Sequence, residues 1–383
     1  MNIIKKTIIS LVYLLIFFAC TNNEQKDNKE NPILLKVGKE PEKEQVFKKY
    51  FELETVLPIE TTNDFVITDI KKVLLCKDKL IILDRMSAIC VVDYATGKIE
   101  TYFKHIGQGP DESKNIIDIT VDEKTETIFA YNDFHKLLFY DFRGNLLNQE
   151  TFEKLYGSII YDDGNVLFYN HAEGYSGYPY QIEKYNLQNK TLEKIGKDNR
   201  LDFPVRLYGS HFVKSKNIWF GTPFDFDLYL YDNSKIERKY KLDPETTPLT
   251  KEIMGFATSD PNKFYTARKE NNIMYGICSI RETENYLVFI SSGRGFFIFN
   301  KKNNEIHWEN YVKETDLNLM LFNYFPHDGN DNRIMFIVTA NEWRNGMGKM
   351  TMDNISETLK EKINSFTIEE DSNQILLFYR EKN

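Results

Sequence analysis

The groups best suited to proton transfer or metal ligation in this 383-residue chain are six histidines, at His105, His135, His171, His211, His307 and His327. Pairing one with a nucleophilic serine needs that serine on a sharp strand-to-helix turn, and no G-x-S-x-G elbow occurs. No C-x-x-C or His/Cys spacing marks a metal site. The run Asp328-Gly-Asn-Asp-Asn332 supplies oxygen ligands of the kind calcium takes, but it lacks the spacing and the distal bidentate Glu of a calcium loop. It reads as a hairpin turn. Gly107-Gln-Gly-Pro110 is no phosphate cradle, because no Lys-Ser/Thr follows and the next element reads as a strand rather than a helix. It reads as a tight crossover between strands.

The elements around these groups repeat. Each unit is an apolar strand, a turn, a second strand, a turn, a third strand closed by Asp or Asn, then a more polar fourth strand. Five copies occupy 71–107, 116–152, 156–196, 210–242 and 273–312. Their third strands close at Asp93, Asp141, Asn186, Asp232 and Asn300, with separations of 48, 45, 46 and 68. The long last interval contains an insertion near 243–268, helical at LTKEIMGF. Turns such as ATG, FRG and DDG suit hairpins, since Gly tolerates positive φ. Four strands per unit at this period predict a β-propeller.

A sixth unit has two strands in 320–340, a surface helix over 356–365 with Leu359, Ile363 and Phe366 on one face, and a last strand at QILLFYR. It is one strand short, whereas VFKKYFELETVLPIE (46–60) is extended and unassigned. Joining the two hides an open sheet edge. The expected fold is therefore all-β: a six-bladed β-propeller of four-stranded antiparallel blades, closed by an N-terminal strand pairing with the C-terminal blade. Cys76 and Cys90 fall two strands apart, about 9–10 Å, which is beyond disulfide reach. Both are expected as free thiols.

In a propeller the blade crossovers and the second-to-third-strand loops share one face. Here that face would carry Arg85, Asn132, His135, His171, Tyr175, Tyr178, Phe224, Arg294, Trp343 and Arg344. Its longest loop, NHAEGYSGYP, is rich in Gly and Tyr, as adaptable recognition loops are. Aromatic groups beside Arg and Asn suit a glycan or a peptide. The alternative is a hydrolase or lyase with a metal in the central channel. His211 opens an innermost strand, and Asp118 and Asn323 hold comparable places in other blades. The first-strand Glu and paired Asn of lactonase-like propellers are missing. The expected function is a non-catalytic binding module with no cofactor.

The address is read from the ends of the composition. Lys5 and Lys6 precede the apolar run Thr7–Ala19, too short at about 20 Å to span a bilayer. Such a pattern is a secretory signal. Cys20, directly after Phe-Phe-Ala, resembles the lipobox cysteine of bacterial lipoproteins, which implies acylation there and cleavage before it. Removing residues 1–19 with their two lysines moves the net charge from −8 to −10. An acidic chain of this kind has no footprint for nucleic acid. The expected domains are a signal peptide at 1–19, a flexible tether at 20–45 and the propeller at 46–383. The expected place is the cell envelope, held by lipid at the outer membrane and facing periplasm or surface. Expected partners are the membrane and a glycan, a peptide or an outer-membrane protein.

HIGQGPDE (105–112) resembles the G-x-GPGE element of Bacteroidetes six-bladed propeller lipoproteins: Gly107, Gly109, Pro110 and Glu112 match, and Asp111 replaces the usual Gly. LETVLPIETT is similar to that family's opening segment, and DSNQILLFYREK to its closing strand, with Gln374 where Pro is common. The resemblance covers roughly 45–383. It implies the fold and the address, and no catalytic residue.

Overall fold

The structure, a computed structural model, describes residues 31–382 apart from 44, 64, 105–114, 170–181, 197–209, 211, 223–224, 246–249, 272, 275, 292–294 and 322–323. Among the described residues six blades follow one another along the chain, with a separate short hairpin, Val312–Glu314 with Leu319–Leu321, between blades 5 and 6. Blade 1 runs from Ile70–Cys76 through Lys79–Asp84 and Ile89–Asp93 to Ile99–Phe103. Blade 2 spans Ile116 to Thr151, blade 3 Ser158 to Ile195, blade 4 Phe212 to Pro244 and blade 5 Ile277 to Glu309. Within each, strands pair in simple up-and-down order, and the inner strands of successive blades touch.

Burial of both sheet faces is what makes this a ring. Each blade hides both sheet faces against its neighbours, so its central strands read as nearly unbroken apolar runs. Six apolar clusters result, one per blade interface. Leu74, Ile81 and Val91 of blade 1 pack on Ile119, Ile128 and Leu138 of blade 2. At the other end of the sequence, Met335, Leu376 and Phe378 pack on Val73, Leu80 and Ile82, which brings blade 6 back to blade 1.

Closure is as expected. Phe51–Pro58 pairs antiparallel with Ile375–Glu381, from Phe51 opposite Glu381 to Pro58 opposite Ile375. Arg333–Val338 lies on the other side of Ile375–Glu381, and Tyr324 bridges to Phe336 as the innermost remnant. Ahead of the closing strand, the short helix Val46–Tyr50 buries Phe47 completely. Its ring stacks on Phe51 at 4.9 Å and meets Phe296, Phe336 and Tyr379 edge-on at 5.1–5.6 Å. These edge-to-face pairs add to area burial.

The expected tether is shorter than the sequence suggested. Ile33–Val37 is a strand, paired parallel with the last strand of blade 4 from Ile33 opposite Tyr240 to Val37 opposite Pro244. Blade 4 thus has five strands, not four. Leu35 and Val37 are buried in the interface of blades 4 and 5. The chain then crosses blade 5: Glu42 N donates to Trp308 O at 2.9 Å, Trp308 Nε1 to Gly38 O at 3.0 Å, and Phe47 N to Glu309 Oε1 at 2.6 Å. Ile33–Val37, within the stretch expected as tether, therefore belongs to the propeller, because two buried side chains and a strand ladder outweigh the polar composition around them.

The insertion after blade 4 holds two helices, Lys251–Ser259 capped by Thr250 and Pro261–Glu270 capped by Asp260 with Pro at its first turn. In blade 6 the helix Glu357–Asn364 starts at Ser356 and buries Leu359 and Ile363, as expected. Cys76, Cys90 and Cys278 are buried free thiols. Burial lifts the Cys76 thiol to about 12 and pushes the Cys90 thiol higher still. No helix among the described residues is long and apolar enough to cross a membrane.

Candidate functional site: a closed channel and an open seam

The inner strands place three long cations toward the axis: Lys72 from blade 1, Lys214 from blade 4 and Arg281 from blade 5. What meets them is the chain itself. The segment His327–Asp331, between the inner remnant and the second strand of blade 6, reaches the inner strands of three other blades. Leu75 N donates to Asp328 O at 2.7 Å and Asp328 N to Val73 O at 3.0 Å on blade 1. Lys214 N donates to Asp328 Oδ1 at 3.0 Å and Gly329 N to Lys214 O at 3.0 Å on blade 4. On blade 5, Arg281 Nη1 donates to His327 O at 2.9 Å and Gly329 O at 2.8 Å, and Nη2 to Asp331 O at 2.7 Å. The expected hairpin turn is thus a plug across one end of the channel.

Gly329 is the position that permits it. Its φ is +152°, and a Cβ there would lie 3.0 Å from Leu75 O. Ion pairs complete the plug. Lys72 Nζ is 3.0 Å from Asp118 Oδ2 and 3.2 Å from Asp328 Oδ2. Burial pulls the ammonium pKa down, but these two carboxylates more than offset it and hold Lys72 charged. Arg281, with no exposed surface, also pairs with the Asp331 carboxylate. Burial alone would raise Asp331, yet His327, Arg281 and Arg333 hold it far below the usual carboxylate range. Burial, then Arg281, pushes His327 down, so it stays neutral. Its Nε2 is 2.8 Å from Asp331 Oδ1, and its Nδ1 has no partner among the described residues.

Of the three residues proposed to hold a metal, His211 and Asn323 lie outside the described residues. Asp118 is buried on the inner strand of blade 2. Its carboxylate accepts from Lys72, from Ile159 N at 2.8 Å and from Ile119 N at 2.9 Å, donors whose sign opposes a cation's. Among the described residues no group of three or more His, Cys, Asp or Glu is placed to hold a metal.

The crossover face is only partly described. His171, Tyr175, Tyr178, Phe224 and Arg294 lie outside the described residues, as does HIGQGPDE. Arg85 is exposed and pairs with Asp69. Asn132 is a correction. It is buried, and its Oδ1 accepts from Phe134 N and Lys136 N at 3.0 and 2.9 Å, fixing the loop that also holds His135 at φ +60°. Trp343 is a second correction. It sits in the helix Ala340–Met347 and is wholly buried in the cluster between blades 5 and 6. Arg344, one residue on, is exposed with Glu370 3.9 Å away. The signal for that helix was present in the sequence: Thr339-Ala-Asn-Glu342 is a capping box, and both of its hydrogen bonds form.

The cavity that the structure does show was missed at the sequence level. It has a volume of about 600 Å³ and lies at the opposite end of the blades from the crossovers, over the closing seam. Its walls are Glu284–Tyr286, the first turn of blade 5; Lys302, in the turn between its third and fourth strands; Asn332, beside the plug; Arg380–Lys382 in and after the last strand; and Lys49 with Tyr50 before the closing strand. Lys49 and Lys382, 333 positions apart in sequence, line it together, and only ring closure brings them so. The Tyr50 and Tyr286 rings are 5.0 Å apart and tilted by 42°.

Two crystal structures resemble this chain in fold. One, a "putative exported protein" from Bacteroides fragilis, is 17% identical, with a TM-score of 0.69 over 91% of this chain and 100% of the other. A DUF4221-family member from Bacteroides vulgatus is 11% identical, with a TM-score of 0.53 over 87% and 98%. No curated protein matches the sequence. Residues 32–380 match, nearly end to end with the folded part, the family described as a domain of unknown function, DUF4934, and the chain belongs to that family.

Proposed function

We propose that this protein is a lipid-anchored, extracytoplasmic propeller that binds a glycan, a peptide or a protein partner and performs no catalysis. One observation carries the reading. The described polar groups at the channel end are engaged with one another through the plug, while the open, polar concavity lies on the surface over the seam. A concavity with a few convergent polar groups is the default place for a ligand. The signal-like run before Cys20 and the name of the Bacteroides fragilis fold neighbour support an extracytoplasmic address.

Two measurements test it. Mass spectrometry of the mature N-terminus should find diacyl or triacyl Cys20, and Cys20→Ala should release the protein from the membrane fraction. Binding of the soluble mature domain to arrayed envelope glycans and peptides should be saturable and leave the ligand unchanged. Turnover of a ligand together with stoichiometric divalent metal would overturn the non-catalytic reading.

A further inference from the structure

The seam cavity reverses the sign of the molecule that carries it. The chain has a formal net charge of −8. Around the cavity, Lys49, Lys302, Arg380 and Lys382 face only Glu284 and Glu381. Glu381 is also engaged internally, because Asn285 donates to its two oxygens from N at 2.8 Å and Nδ2 at 2.5 Å. The Lys382 ammonium donates to Lys48 O at 2.5 Å and keeps further N–H donors. Arg380 is paired with Glu52 at 2.7 Å. Lys302 is exposed at the rim, whereas its neighbour Lys301 is tied to Glu282 at 2.7 Å. Four cations against two carboxylates make the concavity one that favours an anion.

The remaining wall narrows the anion's class. The tilted, half-buried pair of Tyr50 and Tyr286, backed by His307 and Phe51, supplies aromatic surface to the same wall, and Asn285 and Asn332 also line it. Aromatic faces with neutral amides suit a ring that is apolar on its face and hydroxylated at its rim. The cavity is the size of a small ligand and not of an extended chain. We infer that the seam cavity binds a carboxylated saccharide, its carboxylate toward Lys302 and Lys382 and its ring against Tyr50 and Tyr286. This rests on the binding reading above and names the ligand class. It also has a consequence for the fold. Such a ligand touches blade 5, the chain end and the residues leading into Phe51–Pro58 at once, so occupancy clamps the closing strand.

The test uses the mature chain with digalacturonate, a neutral digalactoside and tetraglutamate, read by calorimetry and by hydrogen exchange. Digalacturonate should bind at least tenfold more tightly than the digalactoside, and Lys302→Glu should weaken it at least tenfold. Lys302 is exposed, so the variant should fold. Amides of Phe51–Pro58 should exchange more slowly when digalacturonate is bound. No saturable binding of digalacturonate, unchanged affinity in Lys302→Glu, a preference for tetraglutamate, or exchange unaltered at Phe51–Pro58 would each overturn the inference. Saturable binding of another arrayed ligand elsewhere on the propeller would overturn the seam assignment and leave the binding reading standing.

Discussion

The plug and the seam treat their charges in opposite ways. At the channel, Lys72, Lys214 and Arg281 come from three blades and each finds carboxylate or carbonyl oxygens from the same chain. At the seam, cations brought together by the same closure lie exposed around a concavity. The physical difference is burial. An unpaired charge inside costs several kcal/mol, so a buried cation requires internal partners, whereas an exposed one is solvated and free to exchange water for a ligand. The channel charges therefore serve architecture, and the seam charges stay at the solvent boundary.

Breaking the closure that creates both regions should have the largest effect. Deleting residues 46–60 strips the Ile375–Glu381 strand of its partner and removes Phe47 and Phe51 from their cluster. The variant should aggregate on size-exclusion chromatography, and a soluble, cooperatively unfolding product would contradict this account. Next comes the channel. Arg281→Met leaves the Asp331 carboxylate and the carbonyls of His327, Gly329 and Asp331 without their buried donor, and should lower stability to urea by about 3–5 kcal/mol. Gly329→Ala should cost about 1–3 kcal/mol for backbone strain. Gly164→Ala, at φ +78° with open space around it, is its control, and the difference isolates the approach to Leu75.

A smaller effect is pH-dependent. The folded protein holds His327 neutral, while the unfolded chain takes a proton as pH falls through about 6.5. Its contribution is complete above that value and declines below it. Asp331, depressed by its cationic neighbours, adds a loss in the same direction below about pH 4. Asp227 works the other way: burial, then the charge of Asp225, raises it to about 6, so folding is favoured as that group protonates. His327→Gln should therefore be read as a difference, with wild type losing stability relative to the variant between pH 6.5 and 5 in urea titrations. Least affected should be Lys302→Glu, whose unfolding free energy should stay within about 0.5 kcal/mol of wild type. A larger loss would mean that Lys302 belongs to the architecture after all.

The ring was legible because propeller blades repeat their hydrophobic pattern, and because the shortage of a strand at one end matched a surplus at the other. The parallel strand Ile33–Val37 was not. Only Leu35 and Val37 point inward, and two apolar positions in a polar, lysine-rich stretch look like a linker until their partner at Tyr240–Pro244 is known. Trp343 was misplaced for a different reason: a tryptophan after a strand was taken for a loop group, although the capping box ahead of it marks a helix that turns it inward. The cavity was illegible in kind. Its walls lie at positions near 50, 285, 302, 332 and 381, none of which forms a local motif. Lys72 and Arg281 stood beside Lys71 and Glu282 in their strands, so nothing local marked them as the cations that the plug would bury.

The strap that runs from Ile33 to Pro58 is the first folded stretch to be synthesised and among the last to find its place. Ile33 waits for Tyr240, and Phe51 for Glu381 two residues from the end of the chain. Contacts of such long range form late. A polypeptide cut short anywhere before Ile375 keeps a raw sheet edge and an unburied Phe47, which marks it for proteolysis. The fold thereby tests its own last strand: only a copy that carries Ile375–Glu381 can lock.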